Sequence, residues 1–123
     1  MNEPKQVDYG DRLKGAIDLP PLDVEPYVGK KSAIIKADTY EGKHGPYVLM
    51  ETDWVDEKQR IRASKIFSLY EHPETKDVGW PKDGKLALFL KKVGATNLKD
   101  VIGKVVTCQG ETKKDGKIYL TFF

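Results

Sequence analysis

Residues 85–122 read KLALFLKKVGATNLKDVIGKVVTCQGETKKDGKIYLTF, and this stretch decides the fold class. Its first part repeats apolar residues at the spacing of one helical face, namely Leu86, Phe89, Leu90 and Val93. Gly94 supplies a stop for this predicted helix. Two runs typical of β-strands follow, at 104–110 and 117–122. The Asp115-Gly116 pair between the two runs predicts a tight hairpin.

Three more strands are predicted upstream of the helix, at 32–40, 47–55 and 60–67. These runs are rich in β-branched and aromatic residues and are separated by turn chemistry. A polar connector, 56–59, joins the second strand to the third. The connection 68–84 contains two prolines and two glycines and is longer than a compact domain normally leaves unstructured, which is typical of functional loops.

The predicted order is therefore three strands, a helix and two strands. This order resembles the OB fold, a mostly β, five-stranded Greek-key barrel with one helix between strands 3 and 4. The resemblance covers about residues 30–123. The segment 98–122, LKDVIGKVVTCQGETKKDGKIYLTF, is also similar in texture to the last two strands of phage and archaeal single-stranded DNA-binding proteins, in which a Gly-Lys pair opens the fourth strand.

An irregular leader is predicted over residues 1–29, because turn formers are frequent there and apolar residues show no sustained period. We expect this leader to pack on the domain formed by residues 30–123. The residues predicted to cover one end of the barrel are Leu19, Leu22, Val24, Tyr27 and Val28.

Composition indicates one domain with a real core, since the chain has 123 residues, of which 39% are hydrophobic and 33% charged. The net charge of +2 conceals an asymmetry: residues 1–81 carry −3 and residues 82–123 carry +5. A basic surface that meets phosphate produces such a pattern, and so do ordinary solvated lysines.

Enzyme chemistry is not indicated. The single cysteine, Cys108, allows neither an intramolecular disulfide nor a cysteine metal cage, and it fits a reducing cytoplasm. Glu51 and Asp53 form a carboxylate pair without a further ligand at metal-site spacing. No signal peptide or run of about 20 apolar residues occurs, so no membrane partner is predicted. We predict a protein without catalytic residues, metal or cofactor.

The resemblance implies a ligand that crosses the face of strands 2 and 3 between two loops. Stacking aromatics and backbone-tracking cations bind single strands in such places. The candidate nucleic-acid-binding residues are Lys36, Tyr40, Lys43, Tyr47, Trp54, Arg60, Arg62, Lys65, Lys113, Lys114 and Tyr119, with Lys117 beside the last hairpin.

Two structural alternatives apply to these candidates. Tyr47 and Trp54 are seven residues apart, so a regular strand places them on opposite sides and one of them in the core, unless a bulge intervenes. Arg60 and Arg62 share a face of the predicted third strand, where the carboxylates of the second strand can pair with them across the sheet.

The function predicted is binding of single-stranded DNA or RNA, with DNA favoured, without strong sequence specificity. The alternative is a protein-protein interaction module on the same barrel, with Tyr70 and Trp80 as candidates for an exposed apolar patch. An oligosaccharide or small-ligand binder is the third possibility. The sequence leaves the choice between DNA and RNA and the oligomeric state open.

Overall fold

The structure, a computed structural model, describes residues 5–17, 23–114, 116 and 118–123. These residues are mostly β with one α-helix. The strands are β1 (Lys31–Gly42), β2 (Gly45–Thr52), β3 (Ser64–Ser68), β4 (Tyr70–Glu71), β5 (Val78–Gly79), β6 (Val105–Thr107), β7 (Gln109–Thr112) and β8 (Ile118–Thr121), and the helix is α1 (Lys85–Val93). Short 3-10 helices occupy Gly10–Arg12, Glu25–Tyr27 and Leu98–Val101.

A four-stranded antiparallel sheet, in the order β3-β2-β1-β6, forms the centre of the protein. Residues 31–33 of β1 pair with β6, and residues 34–42 pair with β2. Within the β1–β2 pairing the register shifts between Ile34 and Lys36, which leaves Ile35 as an extra, exposed residue. Such a bulge bends its strand and increases the local twist. The sheet therefore curls into half of a barrel.

The core lies in the concave face of this sheet and is closed by α1. Along β2, the inward residues Val48, Met50 and Thr52 have no solvent exposure. On α1, three residues of the predicted helical face are buried, Leu86, Phe89 and Leu90, and Val93 is half-buried. The ring centroid of Phe89 lies 5.4 Å from that of Phe67. Gly94 ends the helix with a φ of 75°, a left-handed conformation that glycine adopts without cost. The helix prediction is confirmed.

The fourth predicted strand, 104–110, is instead two strands separated by Cys108. The Cys108 N–H donates to the carbonyl of Lys30 at 2.8 Å, and its carbonyl accepts from Gly29 at 2.8 Å. Beyond this point, β7 leaves β1 and pairs only with β8. β3 and β8 lie next to each other, but the described residues form no ladder between them. The observed architecture is thus a half-barrel sheet beside a hairpin, and a closed five-strand ladder is absent from the described residues.

The third strand is also shorter than predicted, since β3 begins at Ser64 and not at residue 60. Arg60 has a φ of 55° and lies in a turn. Ile61 forms an isolated antiparallel bridge with Asp56, because its N–H donates to the Asp56 carbonyl at 2.9 Å. This bridge closes the connector, and β2 consequently ends at Thr52 instead of residue 55.

The connection 68–84 is not an unstructured loop. It contains the two-strand ladder of β4 and β5, in which Tyr70 pairs with Gly79. The turn between these strands is fastened by His72, whose Nδ1 accepts backbone N–H bonds from Glu74 and Thr75, each at 3.2 Å. His72 therefore serves a local structural role.

The leader contributes to the core through its last residues. Residues 5–17 are exposed, whereas Val24 and Tyr27 are buried. The Tyr27 hydroxyl donates to the Asp56 carboxylate at 3.0 Å and thereby ties the leader to the β2–β3 connector. The predictions made for Leu19, Leu22, Asp115 and Lys117 lie outside the described residues.

Candidate functional site

The convex face of the curled sheet carries a continuous set of aromatic and charged side chains. In the β1–β2 ladder, Lys36 lies opposite Glu51 and Tyr40 lies opposite Tyr47. These positions alternate with the buried residues of β2, so they point away from the core. Arg62 and Trp54, from the β2–β3 connection, extend the same surface. We call this set the outer row: Tyr47, Tyr40, Lys36, Glu51, Arg62 and Trp54.

One end of the outer row is an aromatic pair. The rings of Tyr40 and Tyr47 stack with a centroid distance of 5.6 Å and an interplanar angle of 27°. Gly42 makes this position of Tyr47 possible, because a Cβ added at Gly42 would lie only 2.8 Å from Cε1 of Tyr47. The Tyr40 side chain remains accessible to solvent, because Tyr40 is 39% exposed. The pair forms a flat aromatic surface at the β1–β2 turn.

The other end is a cation stacked on an indole ring. The guanidinium carbon of Arg62 lies 3.7 Å from the ring centroid of Trp54, which is close enough for a cation–π contact. Nη1 of Arg62 also donates to Oε2 of Glu51 at 3.2 Å. Arg62 is therefore held in place by two neighbours, with its guanidinium plane and the Trp54 ring at the surface.

Glu51 connects the two ends of the row. Its Oε1 lies 3.4 Å from the ammonium of Lys36, while its Oε2 bonds Arg62. Lys36 also lies 3.9 Å from Asp38 and 5.6 Å from the Tyr40 ring centroid. The pKa of Lys36 is raised, first because its ammonium donates to the Tyr40 hydroxyl and then because of Glu51. Lys36 therefore stays protonated across the physiological range.

Apolar side chains lie beside these charges. Leu49 is half-buried and pairs with Ile66 of β3, which is 57% exposed. The outer face thus combines stacking surfaces, two fixed cations and an apolar strip. Sequence reasoning did not single out Leu49 or Ile66, although period-two alternation with the buried Val48 and Phe67 carries that signal.

The expectation that a regular strand buries either Tyr47 or Trp54 is wrong. Neither of them is among the buried residues, because Trp54 lies beyond the end of β2 at Thr52 and strand alternation does not reach it. The alternative of cross-sheet charge pairing is confirmed for Glu51 and Arg62. The Asp53 carboxylate instead accepts the backbone N–H of Trp54 at 2.7 Å.

Other predicted residues lie off the outer row. Lys65 pairs in register with the buried Met50, so it points toward the concave side, where its ammonium lies 3.9 Å from Glu111 of β7. Lys43 is exposed in the β1–β2 turn, and Arg60 is exposed in the connector turn. These three cations do not share one face.

The last hairpin also carries a cation–aromatic contact. The ammonium of Lys113 lies 5.1 Å from the ring centroid of Tyr119, which is 40% exposed. Lys114 is exposed in the adjoining turn. A cleft between β3 and this hairpin, lined by Lys65, Glu111 and Tyr119 among others, separates it from the sheet.

The surroundings of Cys108 are those of a core residue. Cys108 is 1% exposed, and burial raises the pKa of its thiol above the ordinary value, so little of the reactive thiolate is present at neutral pH. In the part of the chain that the structure describes, no three histidine, cysteine or carboxylate side chains gather as a metal site. No helix among the described residues is long and apolar enough to span a bilayer.

Comparison of the chain with models of protein families, with curated proteins and with solved structures found no match.

Proposed function

We propose that this protein binds single-stranded nucleic acid, preferably DNA, along the outer row and without reading base sequence. A single strand needs flat surfaces for its bases and fixed cations for its phosphates. The outer row offers the Tyr40–Tyr47 stack at one end and Trp54 at the other, with Lys36 and Arg62 between them. This ordered alternation of aromatic and cationic groups across one exposed face is the observation that carries the proposal.

The pairing of the strands also supports this proposal. We interpret β1, β2, β3, the interrupted pair β6–β7, and β8 as the five strands of an OB-type barrel that is open between β3 and β8. Support comes from the β1–β6 pairing, the β7–β8 pairing and the single residue, Cys108, that separates β6 from β7. In this arrangement, the outer row lies on the first two strands and on the connection to the third, beside the face of strands 2 and 3 where OB folds bind oligonucleotides.

Glu51 favours a weak, backbone-directed mode of binding. Its carboxylate neutralises part of the charge of both Lys36 and Arg62, and Asp38 lies 3.9 Å from Lys36, so the row carries little net positive charge. Affinity in this mode depends on stacking and on a small number of phosphate contacts. Both are independent of base identity, because every base has an aromatic face and every nucleotide has one phosphate.

The direct test is a titration with a fluorescein-labelled oligothymidine of about 30 nucleotides, followed by anisotropy at low and at high salt. A Trp80→Phe background leaves Trp54 as the single tryptophan, so quenching reports on the outer row alone. We expect binding that weakens with salt and quenches Trp54. The same titration with oligouridine measures the preference for DNA.

Substitutions in the row locate the binding face. Trp54→Ala should weaken binding about fivefold or more, since stacking on one aromatic contributes about 1–3 kcal/mol per base. The matched control is Tyr70→Ala, because Tyr70 is an exposed aromatic residue of β4 outside the row. Equal effects of the two substitutions would remove the row from the proposal. No binding to oligothymidine at low salt would refute the function and leave the protein-interaction alternative.

A further inference from the structure

One edge of β6 has no partner strand among the described residues and lies beside a groove. The other edge of β6 faces β1. There, the Ile34 N–H of β1 donates to the carbonyl of Lys104 at 2.9 Å, and the Cys108 N–H donates to the carbonyl of Lys30 at 2.8 Å. Antiparallel pairing alternates, so the backbone groups of Val105 and Thr107 point away from β1. Among the described residues, none forms a backbone hydrogen bond with the N–H or carbonyl of these two. Within the described part of the chain this edge pairs with no strand, and we call it the free edge of β6.

The groove lies between this edge and α1. It has a volume of about 520 Å³, and its floor includes Phe89 and Val93 of α1 together with Phe122. Val105 is 62% exposed and forms part of the rim. An added strand extends about 3.3 Å per residue, so the three residues of β6 match a segment of three to five residues. Alternate side chains of that segment would enter the groove.

The charge of the groove indicates which kind of peptide segment it would bind. Lys92 and Lys104 are its charged lining residues, and no carboxylate belongs to the lining described. Lys104 extends along the end of α1, with its ammonium 4.0 Å from the position that a Cβ on Gly94 would occupy. Two lysines beside an apolar floor complement an extended peptide with acidic and apolar residues.

A second copy of this chain fits the edge poorly. Pairing of β6 with the β6 of another copy through a two-fold axis would place the same surface against itself. Both copies would then bring Lys92 and Lys104 to the same contact, and like charges gathered there are unfavourable. The electrostatics therefore favour a different, acidic partner.

We propose that the groove between β6 and α1 binds an extended acidic segment of a partner protein, which adds a strand to the free edge of β6. Main-chain hydrogen bonds to Val105 and Thr107 supply the pairing, the apolar floor takes alternate side chains, and the two lysines select acidic residues. This site is separate from the outer row and does not depend on nucleic-acid binding.

The probe is a fluorescein-labelled, capped peptide of sequence Asp-Val-Glu-Val-Asp-Val-Glu, titrated against the full chain at low salt. We expect saturable binding that a Lys92→Glu/Lys104→Glu variant weakens at least tenfold. The matched control, Lys58→Glu/Lys82→Glu, changes the net charge equally at two exposed lysines outside the groove. A peptide with lysine in place of the acidic residues should bind the Lys92→Glu/Lys104→Glu variant. Equal weakening by both variants would overturn the proposal.

A second measurement tests strand addition without altering the protein. Only one side of an added strand bonds to the edge, so N-methylation of one alternate set of peptide nitrogens should abolish binding and methylation of the other set should be tolerated. Equal effects of the two methylated peptides would exclude strand addition. Displacement of the peptide by oligothymidine would place it on the outer row and also overturn the proposal. Dissociation of a protein dimer by the peptide would assign the edge to a second copy.

Discussion

The carboxylate of Glu51 should limit the affinity of the outer row for single strands. It lies within 3.4 Å of Lys36 and 3.2 Å of Arg62, and its side chain is 20% exposed. Glu51→Gln retains the shape of the side chain and removes the negative charge. Lys36 and Arg62 then lose the carboxylate that they share, and repulsion between Glu51 and the nucleic-acid backbone disappears. We therefore expect the substitution to strengthen oligothymidine binding.

The expected gain follows from simple electrostatics. With about 6 Å between the carboxylate and a bound phosphate, and an effective dielectric constant of about 40, the repulsion is about 1.4 kcal/mol. That free energy corresponds to about a tenfold lower dissociation constant. One more unneutralised cation should also steepen the dependence of log K on log salt by about 0.7. The fold should persist, because glutamine keeps the shape of the side chain and its amide oxygen can still accept a hydrogen bond from Arg62.

Anisotropy titrations of oligothymidine at several salt concentrations measure both quantities. Glu71→Gln is the matched control, since Glu71 is an exposed glutamate of β4 outside the row. In a Lys36→Ala/Arg62→Ala background, the benefit of Glu51→Gln should shrink, because the cations that it frees are missing. Unchanged or weaker binding by a folded Glu51→Gln variant would refute the assignment of the outer row as the phosphate-contacting face.

Three further predictions concern the support of this face and the stability of the protein. Gly42→Ala should displace the Tyr47 ring, since the new Cβ would lie 2.8 Å from Cε1, and should weaken oligothymidine binding by titration while the far-UV circular dichroism is retained. Phe89→Ala should lower the free energy of unfolding by about 3–5 kcal/mol in urea, because Phe89 is 1% exposed, whereas Leu88→Ala on the exposed side of α1 should change it little. The pKa of Asp100 is held below 3.8 first by the Thr96 hydroxyl, so its stabilising effect is present above that pH and is lost as the pH falls through the lowered pKa. Asp100→Asn should therefore lower the Tm at pH about 7, and the difference from the natural protein should shrink as the pH falls through the lowered pKa; a constant difference would contradict this reasoning.

Elements with a strong local pattern were predictable from the sequence. The apolar period of α1 and the glycine that ends it are local properties, and the structure places both as expected. The lengths of the second and third strands were not predictable. They depend on the bridge between Asp56 and Ile61, which is a contact across a turn and leaves no periodic signal. The hairpin of β4 and β5 was missed for a similar reason, since each of its strands has only two residues.

The candidate site, too, was predictable from the sequence only in part. Residue types typical of a strand-binding face could be listed from the sequence, and the pairing of Glu51 with Arg62 was foreseen as an alternative. The bulge at Ile35 and the end of β2 at Thr52 decide which of these residues share a surface. Lys65 was assigned to the binding face, but its register opposite Met50 turns it toward the concave side.

The sequence by itself determined the strand-rich composition, the single amphipathic helix and the presence of aromatic and cationic residues around the second and third strands. These features depend on local spacing and side-chain chemistry. Only the tertiary structure decided that five of those residues form the outer row together with Glu51, that β6 has an edge without a partner strand among the described residues, and that two lysines border the groove beside it. These features depend on strand register and on packing between segments far apart in the chain, where a shift of one residue turns every side chain to the opposite face.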